Sequence, residues 1–338
     1  SAASTLVALS SPSRAGGGGR RTTDTAPVCP IRAVPNARDL RAARATCVGV
    51  AFALPILGGF AFGLAVRGAW QRHFALVFRL NTAAGLAALA FLAGWSFQGG
   101  AAGLAILAVI LGAQVTAVVA GAWLFRRHDD APLLSFALYG NPGFWAVPMT
   151  AALFGPRAAV VIATYDMLTQ PRIAAGVRFL RARAPIAQAA RTGLVDYAPT
   201  ALAVTGLAFG RLQPAPDLVA GAVVVLGTAL AVVGAMLLGL GWPQAGWLRR
   251  ADRGLVARLL AVHLTLVPVL LVGAALAGID VPAGAWVLAL GPVPLSMLSF
   301  ARLYGYSSRL AAFALAASIA IATGLLPVAV WLSHRLPA

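Results

Sequence analysis

The chain has 338 residues, 60% hydrophobic and only 10% charged, with a mean hydropathy of +0.85. Soluble domains carry about 25% charged residues, so the composition excludes an ordinary water-soluble fold and points to a polytopic membrane protein in a lipid bilayer. The net charge of +17 invites a nucleic-acid reading, but the Arg side chains stand mostly between apolar runs, as topology signals do, and no nucleic-acid partner is expected.

Residues 1–46 are rich in Ser, Ala, Gly, Pro and Arg, with Gly16 to Gly19 in a row. They lack the apolar content to pack and are read as a disordered tail. The apolar stretch Leu6 to Leu9 is too short for a signal-peptide core. Cys29 and Cys47 form neither a disulfide framework nor a metal-ligand spacing, so no metal and no cofactor is expected. Ten apolar runs follow, each near the ~20 residues that cross a bilayer. They lie at 47–66, 76–97, 101–124, 133–154, 157–176, 194–211, 218–240, 255–277, 284–303 and 308–332. The polar break 177–193 carries Arg178, Arg181, Arg183 and Arg191 and divides them into five and five. The domains read as a tail (1–46), a first five-helix repeat (47–176), a cytoplasmic linker (177–193) and a second repeat (194–335).

Arginine asymmetry sets the orientation. The loops after spans 1, 3, 5, 7 and 9, with their flanks, carry 16 Arg, and the opposite side carries Arg157, Arg211 and Arg335. Odd-numbered loops are therefore expected in the cytoplasm and both termini outside. The seven Arg of the tail oppose this sum. Five is an odd number, so two five-span units enter the membrane from opposite sides, as inverted repeats do.

The fourth and ninth spans are interrupted. The first break reads Leu138-Tyr139-Gly140-Asn141-Pro142-Gly143-Phe144-Trp145-Ala146-Val147-Pro148, and the second Leu290-Gly291-Pro292-Val293-Pro294-Leu295-Ser296. Pro and Gly at mid-depth leave backbone groups unpaired, which is tolerated only where protein or a polar cavity re-satisfies them. A matched pair in the two halves points to a transporter site.

At these residues the chain resembles the auxin efflux carrier family, which includes bacterial permeases and the plant PIN carriers. Leu54-Pro-Ile-Leu-Gly-Gly-Phe-Ala-Phe-Gly63 is similar to the family's opening span. Tyr139-Gly-Asn-Pro-Gly-Phe-Trp-Ala-Val-Pro148 with Ala151-Ala-Leu-Phe-Gly155, Tyr165-Asp166, Leu290-Gly-Pro292 through Ala301-Arg-Leu-Tyr-Gly305, and Ala317-Ser318 resemble its later motifs. The resemblance covers about 47–335. It implies an all-α membrane fold of ten transmembrane helices, two inverted five-helix repeats, and broken helices 4 and 9 that cross at mid-membrane. It implies elevator-type transport of small organic anions held near the crossing. Pro142 stands where the family has Thr, and Val293 and Pro294 stand where it offers polar side chains.

The candidate substrate-binding residues are Asn141, Pro142, Gly143, Pro148, Pro292, Pro294 and Ser296. The Asn141 amide can hold a carboxylate or cap a broken helix end. Gly140, Gly143 and the four prolines shape the backbone, and the freed N–H groups of a half-helix start suit an anion. Asp166 is the one acid well inside an apolar run and is the candidate for H+ or Na+ coupling; pairing with Arg172 or a backbone cap is its structural alternative. Gln114, Ser135, Thr169, Gln170 and Ser299 read as helix-to-helix hydrogen bonders. His263 reads as a packed histidine, and Arg302 as a snorkelling side chain. Gly59-Phe-Ala-Phe-Gly63 fits a small-residue helix contact, read as packing within the chain ahead of a homodimer.

No nucleotide loop and no catalytic constellation is found, so no enzyme is expected. The expected protein is a secondary transporter of a small organic anion, foremost a carboxylate, in a bacterial cytoplasmic membrane. The rivals are a sodium-coupled bile-acid-type symporter and a non-transporting membrane ligand sensor of the same fold.

Overall fold

The computed structural model describes residues 54–98, 100–169, 198–242 and 250–335. The tail, the linker, Gln170, Arg172 and most of the arginines of the loops after the fifth and seventh apolar runs lie outside the described residues. Every regular element among those described is a helix. In chain order these are α1 (Leu54–Ala65), α2 (Arg67–Trp70), α3 (Phe74–Leu80), α4 (Leu86–Ser96), α5 (Gly100–Leu124), α6 (Ala131–Ala137), α7 (Val147–Phe154), α8 (Pro156–Leu168), α9 (Ala198–Leu212), α10 (Asp217–Gly241), α11 (Arg250–Leu276), α12 (Ala283–Ala289), α13 (Ser296–Tyr304) and α14 (Ser308–Arg335).

Four of them, α5, α10, α11 and α14, are long and apolar enough to cross a membrane. At 1.5 Å per residue a 25-residue helix such as α10 reaches about 37 Å, more than the ~30 Å of a bilayer's hydrocarbon core. The other apolar runs are shorter or interrupted. A π-helical turn, Asn81–Gly85, joins α3 to α4, while interruptions of the helix at Leu138–Asn141 and Leu290–Leu295 separate α6 from α7 and α12 from α13.

Glycines decide two of the helix pairs. A Cβ on Gly63 would stand 2.1 Å from Met236 O, and one on Gly239 2.2 Å from Phe60 O. Backbones of α1 and α10 therefore touch where any side chain larger than hydrogen is excluded. The Gly59–Gly63 pattern thus makes its contact within the chain. In α4 and α9 the same occurs: a Cβ on Gly94 would lie 2.2 Å from Ala203 O, and one on Gly206 2.3 Å from Phe91 O. Phe209 packs against Phe91 and Trp95, and Trp95 Nε1–H donates to Gln213 O at 2.8 Å.

The other face of α10 meets the broken helices. Gly227 lies under Val147, Gly234 under Phe144 and Leu295, and Gly241 under Leu298 and Arg302. Arg302 does not simply reach outward, as its sequence context suggests. Its Nη1–H donates to Leu240 O at 3.2 Å, and its Cζ stands 5.2 Å over the Phe74 ring. The last carbonyls of a helix have no partner within it, so the end of α10 offers an acceptor that holds Arg302 inward. Ser307 N–H donates to Asp130 Oδ1 (3.1 Å) and Leu310 N–H to Ser307 Oγ (3.2 Å). This ties the turn before α6 to the start of α14. The core gathers around the broken helices, α8 and α14, with Leu133, Met149, Tyr165, Trp286 and Leu315 fully buried.

Candidate functional site: two broken helices in contact

Pro142 has no N–H, and its ring excludes a helical neighbour four residues back. Helix α6 therefore ends, with Tyr139 N–H on Phe136 O at 3.1 Å. Gly140 turns at φ +71°, a left-handed backbone that other residues adopt only with strain. Asn141, at φ −123°, ψ 74°, stays out of the helical region, which a residue before proline disfavours. The chain restarts at Pro142, where the missing donor costs nothing because first-turn N–H groups have no helical acceptor. Pro148 disturbs the new helix again, since it cannot donate to Phe144 O. The first turn, Pro142–Ala146, is wound wide, with Ala146 N–H on Asn141 O at 3.1 Å.

The second break has a different economy of donors. Pro292 and Pro294 carry no N–H, so Val293 holds the one backbone donor of the three residues. That donor is taken: Val293 N–H donates to Ser318 Oγ at 3.2 Å, and Ser318 Oγ–H donates to Leu315 O at 2.8 Å. Pro292 and Pro294 thus shape the chain and remove the donors expected of it there. Ser296 is the half-buried first residue of α13.

The breaks meet. A Cβ on Gly291 would stand 3.1 Å from Trp145 Cδ1, which seats the indole of the first break on the backbone of the second. His263 of α11 reaches both. Its Nε2 lies 2.8 Å from Gly291 O, and its Cε1 would be 3.6 Å from a Cβ on Gly140. A carbonyl only accepts, so Nε2 carries the proton of that bond. Gln114 of α5 flanks Gly140 on the same side, its Nε2 3.5 Å from that Cβ position, and its Oε1 accepts from the Tyr165 hydroxyl. Asp166, 5% exposed, lies against the first turn after Pro142: its Oδ2 would be 2.6 Å from a Cβ on Gly143.

Of the residues read from sequence, the fold brings Asn141, Pro142, Gly143 and Asp166 together at the first break. Asn141 is buried, makes no side-chain cap bond, and its Nδ2 has no partner; the capping role is not taken. Pro148 lies within the first turns of α7, and Thr169 bonds back to Tyr165 O and Asp166 O. Ser135 bonds to Ala131 O in its own helix.

Sequence reasoning underrated three groups: His263, Gln114 and Ser318. Their signal is positional. Gln114 and His263 stand about 150 residues apart, as do Pro142 and Pro292, and Asp166 and Ser318 keep nearly the same offset. Gln114 attends the first break and His263 both; Asp166 lies on Gly143 and Ser318 on Val293. A cleft of about 140 Å³ lies elsewhere, beside the exposed Arg157–Asp217 ion pair (2.9 Å).

The described chain is thus all-helical, with four helices able to cross a membrane and two proline-interrupted helices in contact at their breaks. It matches no protein-family model and no curated protein.

Proposed function

We propose that this chain is a secondary membrane transporter that carries a small organic anion, a carboxylate by preference, past a scaffold by alternating access. In this reading ten spans form two inverted five-span repeats, with spans 4 and 9 broken and crossing, in a bacterial cytoplasmic membrane with both termini outside. The observation that carries it is the meeting of the two breaks, Trp145 on Gly291 with His263 touching both. Irregular backbone at membrane depth has a use where it lines a ligand site.

A second observation supports the inverted repeat. Exchanging the two halves turns the α1–α10 contact into the α9–α4 contact, and both are glycine-mediated backbone approaches. The resemblance to the auxin efflux carrier family points the same way.

At the site, the first-turn amides after Pro142 carry partial positive charge. A resident carboxylate, Asp166, lies against Gly143 in that turn. An incoming carboxylate competes with it until Asp166 takes a proton or a cation, and this competition is the coupling. The unpartnered Asn141 Nδ2 donates to the anion. The glycines of α10 at 227, 234 and 241 give the broken helices a smooth face to move along.

The test begins with a thermal-shift screen of small carboxylates on the purified protein and proceeds to flux in liposomes. Asn141→Ala is expected to weaken binding of the carboxylate that stabilises the wild type about tenfold or more, and to slow its flux accordingly. Unchanged binding and flux in that variant would sink the crossing-site reading.

A further inference from the structure

Holding an anion at the crossing raises a problem of charge. A carboxylate away from water is costly unless a positive group meets it. Among the described residues, those buried at the crossing include one acid, Asp166, and no Arg. The base there is His263, 2% exposed.

Its geometry is suited to the task. Nε2–H is committed to Gly291 O at 2.8 Å. That bond fixes the ring between the breaks and leaves Nδ1 as the working atom. Nδ1 is buried and has no hydrogen-bond partner. Cε1, bonded to both ring nitrogens, faces Gly140, whose neighbour Asn141 carries the other unpartnered group, Nδ2. Two buried polar groups with unmet hydrogen-bonding capacity thus flank one short stretch of the first break. Other polar groups at this stretch of the first break are Gln114 from α5, the Tyr165 phenol bonded to it, and the Asp166 carboxylate at Gly143. The second break contributes no ionisable side chain, and Ser318 of α14 is already committed to Val293 and Leu315.

We propose that His263 is an anion-binding residue that takes up one proton with each carboxylate. As the carboxylate enters, the Nδ1 lone pair takes up one proton from solution (hydronium, which leaves as water), and the resulting Nδ1–H donates to one carboxylate oxygen while Asn141 Nδ2–H donates to the other. On release the proton leaves Nδ1 with the anion, and nothing is oxidised or reduced. The role differs from that of Asp166, whose protonation removes a competing negative charge and supplies no positive one. The inference rests on the transporter reading above.

The experiment uses tag-free protein with ¹⁵N-labelled histidine and a panel of acetate, benzoate and succinate. His73→Gln, His128→Gln and His334→Gln together leave His263 as the single histidine and do not touch the crossing. Without carboxylate, His263 is expected in the neutral form protonated on Nε2. Saturated with the carboxylate that binds best, it is expected to carry protons on both nitrogens. In an Asp166→Asn background, which removes the competing carboxylate and its proton, the Kd of that carboxylate is expected to weaken about tenfold per unit rise in pH once the proton must be taken up from solution. His263→Gln is expected to lose that slope, and Asn141→Ala to keep it while binding more weakly at every pH. If one of these carboxylates binds and His263 stays neutral in the complex, the inference is overturned and the transporter reading stands. The same holds if adding His263→Gln to that background leaves the pH slope unchanged. If none of the three binds, the carboxylate reading itself fails and takes this inference with it.

Discussion

The Oδ2 of Asp166 lies 2.6 Å from the point where a Cβ on Gly143 would stand. That contact ties α8 to the restart of the first broken helix. Gly143→Ala must push the carboxylate off its seat or open the break, because the methyl and the oxygen cannot share the space. Overpacking of this kind costs about 1–3 kcal/mol. The expected outcome is a lower melting temperature with weaker carboxylate binding. Asp166→Asn keeps the shape and removes the charge. It is expected to preserve melting temperature while flux in liposomes stops responding to an imposed sodium gradient and keeps only the one-proton response to a pH gradient that His263 carries. A gradient response unchanged in Asp166→Asn removes Asp166 from coupling.

Ser318 supplies the acceptor for the one backbone donor of residues 292–294. Ser318→Ala leaves Val293 N–H buried without it, at a cost of about 1–3 kcal/mol. A drop in thermal stability, with faster amide exchange at Val293, is the expected result. An exchange rate at Val293 equal to wild type would show that another acceptor serves it.

The α4–α9 seam is predicted to be intolerant of bulk. A Cβ on Gly94 or Gly206 would fall within 2.3 Å of a backbone oxygen of the facing helix. Gly206→Leu is expected to lose folded, monodisperse protein in detergent. Gly112→Leu, in α5 where a Cβ would meet nothing within 4 Å, is the control expected to purify as wild type. Equal behaviour of the two variants would contradict the backbone contact.

Arg302 and Arg157 separate a half-buried from an exposed cation. Arg302→Ala removes the hydrogen bond to Leu240 O and the contact with Phe74. Together these stabilise by about 1–3 kcal/mol, and the melting temperature is expected to fall accordingly. Arg157 pairs with Asp217 at 2.9 Å, but both side chains are more than three-quarters exposed. Water and salt screen such pairs, so Arg157→Ala is expected to melt with wild type.

Much of the fold is readable along the chain because a helix needs only local information. Apolar runs, turn residues and proline positions mark where helices begin, break and end, and helices or broken helices stand at the runs wherever residues are described. The site is legible only in part. Asn141, Pro142, Gly143 and Asp166 announce themselves by being polar or helix-breaking within apolar runs. His263 and Ser318 do not, because their meaning lies in what they touch 28 and 25 residues along the chain. Nor does sequence tell that Arg302 turns inward to the end of α10, since the free carbonyl it meets belongs to another helix.

Composition and proline placement by themselves determined that the described residues are helical, with helices apolar enough to cross a membrane and with two helices interrupted. A proline's missing donor acts on its own backbone whatever surrounds it. Only the tertiary structure decided that the two breaks touch, that Asp166 lies on one and Ser318 on the other, and that His263 reaches both. Those are contacts between residues distant in the chain, set by how closely glycine-lined helices can approach.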